Sequence, residues 1–204
     1  MTLLAAPPPC AAIVLAAGAA RRMGERPKLL LPIGGESLLR RAVRLAQSAR
    51  CAPVIVVLGR HGETYRDHLA GAGVHLVDNP EWAEGIGASL RRGVAALPPN
   101  QPPDATFLVL APDQPRVTTD HLLALQATLQ AQPTATAVAS AYAGTIGVPV
   151  LFRDTWRARL ASAGGEVGAR RHLQRYLNEV VALPFPEGVN DIDTEADYAA
   201  IAGQ

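Results

Sequence analysis

Residues 11–28 of this chain, AAIVLAAGAARRMGERPK, decide how the rest of the sequence is interpreted. The apolar run at 11–15 predicts a buried strand, and a loop of small residues follows it. The stretch ends at Lys28, the single lysine of a chain with eighteen arginines. An ammonium is a compact point charge that reaches between phosphate oxygens, whereas a guanidinium is a planar fork. We therefore interpret Lys28 as a phosphate-binding lysine. The alternative is a chance survivor of arginine-biased codon usage on a solvated loop.

The loop after this strand has the composition of a phosphate-binding nest. Residues 16–20 are Ala, Ala, Gly, Ala and Ala, so large side chains do not cover their backbone N–H groups. The spacing of its glycines and Lys28 excludes both the Rossmann dinucleotide loop and the Walker A loop. Arg21 and Arg22 add two cations. The alternative interpretation is a tight turn with solvated arginines.

Short apolar runs bounded by Gly or Pro alternate along the chain with longer stretches of helical periodicity. This alternation is typical of βαβ units and predicts an α/β fold in which helices cover a mostly parallel sheet. Ligands of such folds bind outside the carboxyl ends of the strands. Ser37 is expected to cap the first helix. Strands are predicted at 11–15, 53–58, 74–77, 105–110 and 136–141, and helices at 37–49, 61–69, 85–97, 119–130, 153–161, 168–177 and after Asp193.

Length and composition indicate a single domain over residues 1–204, with 49% of the residues hydrophobic. The 19 basic and 18 acidic residues nearly cancel, which argues against a nucleic acid or an anionic membrane as partner. No run approaches the roughly 18 apolar residues of a membrane helix, and the first ten residues lack the basic region of a signal peptide. Cys10 and Cys51 have neither disulfide-framework nor zinc spacing. We expect a soluble cytoplasmic protein with buried thiols.

Two acidic segments are candidates for metal binding. Asp113 stands between two prolines directly after the strand predicted at 105–110. Beside triphosphate oxygens it could hold Mg²⁺, which takes one or two carboxylates plus phosphates and water. A local Asx turn is the alternative. Near the C-terminus, we expect Asp191 and Asp193 to face opposite sides, so that one meets the metal and the other caps the final helix or is solvated.

Six motifs in a fixed order carry a resemblance to a known family. They are Leu-Ala-Ala-Gly…Arg-Met-Gly…Pro-Lys-Leu-Leu-Leu-Pro at 15–32, Asn-Pro-Glu-Trp-Ala-Glu-Gly-Ile-Gly-Ala-Ser-Leu at 79–90, Asp-Gln-Pro at 113–115, Gly-Val-Pro-Val-Leu-Phe at 147–152, Gly-Glu-Val-Gly-Ala-Arg at 165–170 and Asp-Ile-Asp-Thr at 191–194. Through them the chain resembles the MobA-like nucleotidyltransferases, and within these the MocA-like branch of molybdenum cofactor cytidylyltransferases.

The resemblance implies a three-layer, Rossmann-like nucleotidyltransferase fold with a mostly parallel mixed sheet. It implies that Lys28, Arg22 and Asp113 are the catalytic residues. It also makes Asp113 the principal Mg²⁺ ligand, with Asp193 as the second acidic position and Asp191 as the fallback. The other nucleotide-binding positions by this alignment are Leu15, Ala16, Ala17, Gly18, Met23, Gly24, Asn79, Gly85, Ser89 and Leu90, the last four on the side of base and ribose. Cytidylyltransferase relatives have Leu-Ala-Ala-Gly and guanylyltransferase relatives Leu-Ala-Gly-Gly, so Ala17 favours CTP.

The chemistry of nucleotidyl transfer agrees with this pattern of residues. A phosphate monoester attacks the α-phosphorus of the triphosphate, and with a second pKa of about 6 it is already ionised near neutrality. No general base is required, and none of the five histidines lies in the strand-end motifs. The reaction needs charge neutralisation and in-line positioning. We expect transfer of CMP from CTP to the phosphate of molybdopterin, with a molybdenum hydroxylase apoenzyme as the candidate protein partner.

Other functions stay open at this point. The same donor site could serve GTP, or a sugar or polyol phosphate as acceptor. A non-catalytic chaperone could carry the pterin nucleotide to a hydroxylase, although such a protein has little need for Lys28, Asp113 and Asp193 together. Arg116 stands where an apolar residue is common in the family and Val148 where His is often found. These two departures leave the identity of the acceptor open.

Overall fold

The computed structural model describes residues 8–18, 26–165 and 168–202. Seven strands form one sheet in the order β5-β4-β1-β6-β8-β7-β9. Among them, β8 is the strand that runs antiparallel to both of its neighbours, so the sheet is mixed and mostly parallel, as predicted. The strands are β1 (Cys10–Ala16), β4 (Val54–Leu58), β5 (His75–Asp78), β6 (Thr106–Leu110), β7 (Ala137–Tyr142), β8 (Thr145–Arg153) and β9 (Val180–Pro184), with a separate small hairpin of β2 (Pro32–Ile33) and β3 (Glu36–Ser37).

Helices cover both faces of this sheet because its central strands are apolar on both sides. On β1, Ala12 and Val14 pack in one layer with the first and fourth helices, whereas Ala11 and Ile13 pack in the other layer with the third, fifth and sixth. This alternation is the period of two expected of a strand. The helices are α1 (Leu38–Ser48), α2 (Gly62–His68), α3 (Ile86–Ala95), α4 (Thr119–Ala131), α5 (Trp156–Leu160), α6 (Gly168–Arg175) and α7 (Glu195–Ala202).

Two local predictions from the sequence are confirmed. Ser37 caps α1, since its Oγ accepts a hydrogen bond of 3.2 Å from the backbone N–H of Arg40. Cys10 and Cys51 are both buried free thiols, with their Sγ atoms 3.2 Å apart. No helix within the described residues is long and apolar enough to cross a membrane.

The second half of the sheet differs from the prediction. Strands β8 and β9 were not predicted, and the helix expected at 153–161 begins only at Trp156. Arg153 is instead the last residue of β8, where it pairs with Thr106. Ala139 of β7 pairs with Val150, but the next residue of β7 pairs with Gly147, so two residues of β8 bulge out of the ladder. This bulge interrupts the apolar alternation by which a strand is recognised in sequence.

Candidate functional site

A cavity of about 690 Å³ opens at the carboxyl ends of β1 and β6, beside the beginning of β8. This is the edge at which ligands of α/β sheets bind. Its lining is mostly small and apolar, with two carboxylates and one guanidinium among the described residues. The lining residues are Leu15, Ala17, Gly18, Trp82, Ala83, Gly85, Ile86, Ser89, Ala111, Asp113, Tyr142, Gly147, Val148, Gly168, Ala169, Arg170 and Asp191.

Lys28 meets the acidic residues at the edge of this cavity. Its Nζ donates hydrogen bonds to Asp113 Oδ2 at 2.8 Å and to Asp193 Oδ1 at 3.4 Å. The Lys28 side chain is only 9% exposed, whereas the side chains of Asp113 and Asp193 are 28% and 47% exposed. Burial alone would lower the pKa of Lys28, but the two carboxylates outweigh it and raise that pKa above its usual value. The ammonium therefore stays charged at any physiological pH.

A small apolar cluster holds the lysine and the C-terminal aspartates in place. Leu31, Leu38 and Ile192 are buried against one another, although they come from three separate segments of the chain. The backbone N–H of Leu31 donates to the carbonyl of Lys28, and the N–H of Ile192 donates to the carbonyl of Asp113 at 2.9 Å. Burying Ile192 thus fixes the residues on both sides of it beside Asp113.

The expectation that Asp191 and Asp193 face opposite sides was wrong. Asp193 contacts Lys28, and Asp191 lines the cavity together with Asp113. Ile192 between them is buried in the apolar cluster, and both aspartates lie close enough to Lys28 to interact with its charge. Asp191 is exposed as a residue, but partial burial of its carboxyl and the charge of Asp113 raise its pKa to about 6. Three carboxylates and one ammonium therefore lie together.

Neither of these two aspartates caps the final helix by its side chain. Thr194 is the N-cap of α7, because its Oγ1 accepts from the backbone N–H of Asp197 at 3.2 Å. Asp197 in turn accepts from the N–H groups of Thr194 and Asp193, at 2.7 and 3.1 Å. This reciprocal arrangement is a capping box. The cap of α7 is therefore formed by Thr194 and Asp197.

The predicted nucleotide-binding residues divide into three groups. Leu15, Ala17, Gly18, Gly85 and Ser89 lie on the cavity wall, so their role in binding stays a prediction that the geometry allows. Outside the cavity wall are Ala16 and Leu90, with side chains buried in the core, and Asn79, which is 3% exposed. Arg22, Met23 and Gly24 fall, like Arg21, outside the described residues.

The placement of Leu90 corrects the expectation that it lines the base and ribose. Its side chain is completely buried in the layer between the sheet and α3, and therefore cannot contact a molecule in the cavity. Asn79 acts through Ser89, since its Nδ2 donates a hydrogen bond of 3.1 Å to Ser89 Oγ. Asn79 thus positions Ser89 on the wall.

Close backbone approach positions the loop after β1. A Cβ atom placed on Gly59, just after β4, would lie 2.5 Å from the carbonyl oxygen of Ala17. Only glycine allows this contact without a shift of the loop. The close fit of Ala17 against Gly59 fixes one wall of the cavity.

Three residues with large side chains on the cavity wall were not among the predicted site residues: Trp82, Tyr142 and Arg170. Tyr142 ends β7, and its hydroxyl donates to the carbonyl of Val148 at 3.3 Å. Burial and the charge of Asp191 raise the pKa of Tyr142. Trp82 and Arg170 belong to the motifs at 79–90 and 165–170, which was the available signal for them.

This geometry agrees with the comparison with known families. The model of the MobA-like NTP transferase domain matches residues 12–180. The chain belongs to this family. It is 32% identical over 198 residues to the purine catabolism protein PucB of Bacillus subtilis, a match that covers 90% of this chain and 91% of PucB.

Solved structures of other proteins share the fold of this MobA-like transferase. Rv0371c from Mycobacterium tuberculosis H37Rv has a TM-score of 0.80 at 27% identity, over 98% of this chain and 100% of its own. The same mycobacterial protein in complex with manganese has a TM-score of 0.75 at 26% identity, with the same coverage. A nucleotidyl transferase from Methanothermobacter has a TM-score of 0.77 at 26% identity, over 95% of this chain and 96% of its own. The predicted Rossmann-like nucleotidyltransferase fold is confirmed.

The acidic residues of this MobA-like transferase fit a divalent cation that is only partly bound by protein. Within the described ranges no group of three or more His, Cys, Asp or Glu side chains is arranged to hold a metal ion. Asp113 and Asp193 nevertheless share one ammonium, and burial together with the charge of Asp113 raises the pKa of the nearby Asp191. Above about pH 6 Asp191 is mostly ionised and able to bind a metal. Oxygen ligands completed by phosphates and water are what Mg²⁺ prefers.

Proposed function

We propose that this protein transfers CMP from CTP to the phosphate of molybdopterin in a Mg²⁺-dependent reaction. An oxygen of the acceptor phosphate bonds to the α-phosphorus of CTP. The bond from that phosphorus to the bridging oxygen breaks, and pyrophosphate leaves with the electron pair. The observation that carries the proposal is the contact of the buried Lys28 ammonium with Asp113 and Asp193 at the edge of a nucleotide-sized cavity.

The described residues support the donor half of this reaction. Lys28 supplies a permanent positive charge beside the cavity, and the loop at Ala17 and Gly18 presents backbone without bulky side chains. When bound, Mg²⁺ would neutralise charge on the triphosphate oxygens, held by Asp113 with Asp193 or Asp191. Arg22 is proposed, from sequence alone, as a further phosphate ligand. Together these groups offset the repulsion between two anions, which is the main obstacle to the reaction.

The choice of nucleotide and acceptor rests on the sequence resemblance. Ala17, which lines the cavity, is the residue that favours CTP over GTP by that resemblance. The similarity to a purine catabolism protein supports a role in connection with purines. None of the cavity-lining residues within the described ranges is a histidine, which suits an acceptor that is already ionised.

Titration calorimetry with CTP, GTP, ATP and UTP, with and without Mg²⁺, tests the donor assignment. We expect Mg²⁺-dependent binding of CTP, with GTP at least about tenfold weaker, a difference of about 1.4 kcal/mol. Ala17→Gly should narrow that difference, because it removes the one methyl group that distinguishes the two loop forms. A preference for GTP in the wild type would overturn the assignment of CTP.

The same titration distinguishes the proposed nucleotidyltransferase from the alternative function, a non-catalytic chaperone. A chaperone for a finished pterin dinucleotide has no need to bind free CTP with Mg²⁺. If no nucleoside triphosphate binds, the non-catalytic function becomes the better account of the cavity.

A further inference from the structure

Arg170 is the one cationic side chain on the cavity wall among the residues that the structure describes. It is the third residue of α6, is exposed, and forms no salt bridge with any described carboxylate. Many other arginines of the chain are paired in this way: Arg26, Arg44, Arg66, Arg91, Arg157 and Arg159 each form a salt bridge with Asp or Glu. A guanidinium that faces the cavity, and that no described carboxylate pairs with, suits an anionic ligand.

The topology places Arg170 and Lys28 on different sides of Asp113. Asp113 follows β6, which lies between β1 and β8 in the sheet. Lys28 comes after β1, whereas α6 packs against β8. Arg170 lines the cavity together with Tyr142, the last residue of β7, and Asp191. One cation therefore serves the β1 side of the cavity and another the β8 side.

Joining two phosphate-bearing molecules requires positive charge for both. The triphosphate is provided for by Lys28 and the loop after β1. The acceptor phosphate, a dianion near neutrality, must approach that triphosphate and needs a cation of its own. A guanidinium suits this task because its parallel N–H groups match two phosphate oxygens at once. Gly168 and Ala169, which also line the cavity, place no large side chain beside Arg170.

We propose that Arg170 binds the phosphate of the acceptor and thereby restricts the enzyme to phosphorylated acceptors. The assignment rests on the proposed function, a transfer from a nucleoside triphosphate to an acceptor phosphate. It does not depend on the acceptor being molybdopterin. Arg170 contacts the acceptor and leaves binding of CTP to the β1 side.

Steady-state kinetics of Arg170→Gln, with Arg171→Gln as control, tests this assignment. Arg171 is the next residue of α6 and is exposed, but it does not line the cavity. We expect Arg170→Gln to raise the KM for molybdopterin by about tenfold or more, with the KM for CTP within about twofold of wild type. Arg170→Lys should fall between wild type and Arg170→Gln, since it keeps the charge but loses the fork. An equal rise in both KM values, or no rise in either, would overturn the assignment.

A second measurement tests the role of Arg170 without depending on the identity of the acceptor. The protein is loaded with Mg²⁺ and the α,β-methylene analogue of CTP, which fills the donor site and cannot react, and is titrated with inorganic phosphate. Wild type and Arg171→Gln should bind phosphate alike, and Arg170→Gln about tenfold more weakly. If wild type fails to use molybdopterin while phosphate binding still requires Arg170, the proposed acceptor is wrong and the assignment of Arg170 stands. If molybdopterin is used but phosphate binding ignores Arg170, the assignment fails and the proposed function stands.

Discussion

The two sides of the cavity differ in how their charges are held. On the β1 side, Lys28 is buried and fixed by contacts of 2.8 and 3.4 Å to Asp113 and Asp193. On the β8 side, Arg170 is exposed and has no carboxylate partner among the described residues, and the antiparallel strand beneath it carries a bulge. The cation of the first side is paired within the protein, and the cation of the second is paired with none of the described carboxylates.

This difference suits a reaction in which one partner is constant and the other varies within a family. Every nucleotidyl transfer uses a triphosphate, so the same fixed arrangement of ammonium, carboxylates and loop amides can serve enzymes with different acceptors. The acceptor is what distinguishes one such enzyme from another. We therefore expect changes on the β1 side to abolish the chemistry and changes on the β8 side to alter the choice of acceptor.

Asp113→Asn should have the largest effect, and it tests whether the β1 side is the chemical centre. Losing the charge of the principal metal ligand is expected to lower kcat on the order of 100-fold or more. Turnover of CTP with molybdopterin, followed by release of pyrophosphate, measures it. Asp104→Asn is the matched control, because Asp104 is exposed and precedes the same strand, β6, at its other end. A kcat for Asp113→Asn within about tenfold of wild type would contradict the metal assignment.

Lys28→Met should weaken binding of CTP by about 10- to 100-fold, since it removes a charged hydrogen-bond donor. In the absence of nucleotide the same change should strengthen binding of Mg²⁺, because Asp113 and Asp193 lose the ammonium that neutralises them. Calorimetry with MgCl₂ alone and with CTP measures both effects. Arg26→Met, which removes an exposed cation two residues away, should change neither. Weaker binding of Mg²⁺ to Lys28→Met would count against the shared-charge account.

Two glycine substitutions, one on each side of the cavity, should have smaller effects and should distinguish the two sides. Gly59→Ala would press on the backbone of Ala17 and should destabilise the protein by about 1–3 kcal/mol while weakening binding of CTP. Gly147→Ala would instead press on the Tyr142 hydroxyl, at 2.5 Å, and should affect the KM of the acceptor more than that of CTP.

Thermal unfolding, calorimetry with CTP and steady-state kinetics of both variants provide the measurements. Gly62→Ala is the control, because its nearest heavy atom, Leu58 Cβ, would be 3.5 Å away. The comparison of the two sides breaks down if both substitutions change the same constant.

The smallest expected effect concerns pH and the β8 side. His121 stacks on Phe185 at 4.1 Å, and its Nε2 lies 2.8 Å from the Ser140 hydroxyl, which itself donates to the carbonyl of Pro149. Burial lowers the pKa of His121, against an opposing effect of Glu187. Between the folded pKa of His121 and about pH 6.5, the unfolded chain therefore binds more protons than the folded chain. The free energy of unfolding falls as the pH is lowered through this range.

Unfolding temperatures of wild type and His121→Gln, measured between pH 7.5 and 5.5, check this sign. The wild type should lose more stability on acidification than the variant. His68 and His172 also have pKa values lowered by burial, so only the difference between the two proteins reports His121. A larger loss in His121→Gln would reverse the assignment.

The β1 side could be predicted from sequence and much of the β8 side could not. Strands β1, β4 and β6 are buried on both faces, so they appear as continuous apolar runs that end in Gly or Pro. Strand β8 contains Gly147 and Pro149, which interrupt such a run, and its bulge has no local signature.

The site residues also divide into those that the sequence predicts and those that only the structure reveals. Asp113 closely follows β6, where a general rule directs attention, and Lys28 stands out as the single lysine of the chain. Their contact joins residues 85 apart in the chain, so only the topology of the sheet brings them together. Leu90 was wrongly expected in the site because its motif neighbours line the cavity, whereas helical geometry turns its side chain into the core. Arg170 stood in a recognised motif, but its place on the cavity wall, without a salt bridge to any described carboxylate, is visible only in the fold.

The most direct test of the central claim is to incubate the protein with CTP, Mg²⁺ and molybdopterin and to identify the products by mass spectrometry. We predict equal amounts of a cytidine dinucleotide of molybdopterin and pyrophosphate, both absent without Mg²⁺ and from Asp113→Asn. Recovery of unchanged CTP and molybdopterin, with Mg²⁺ and CTP shown to be bound, would contradict the proposed acceptor and direct the search to other phosphorylated molecules.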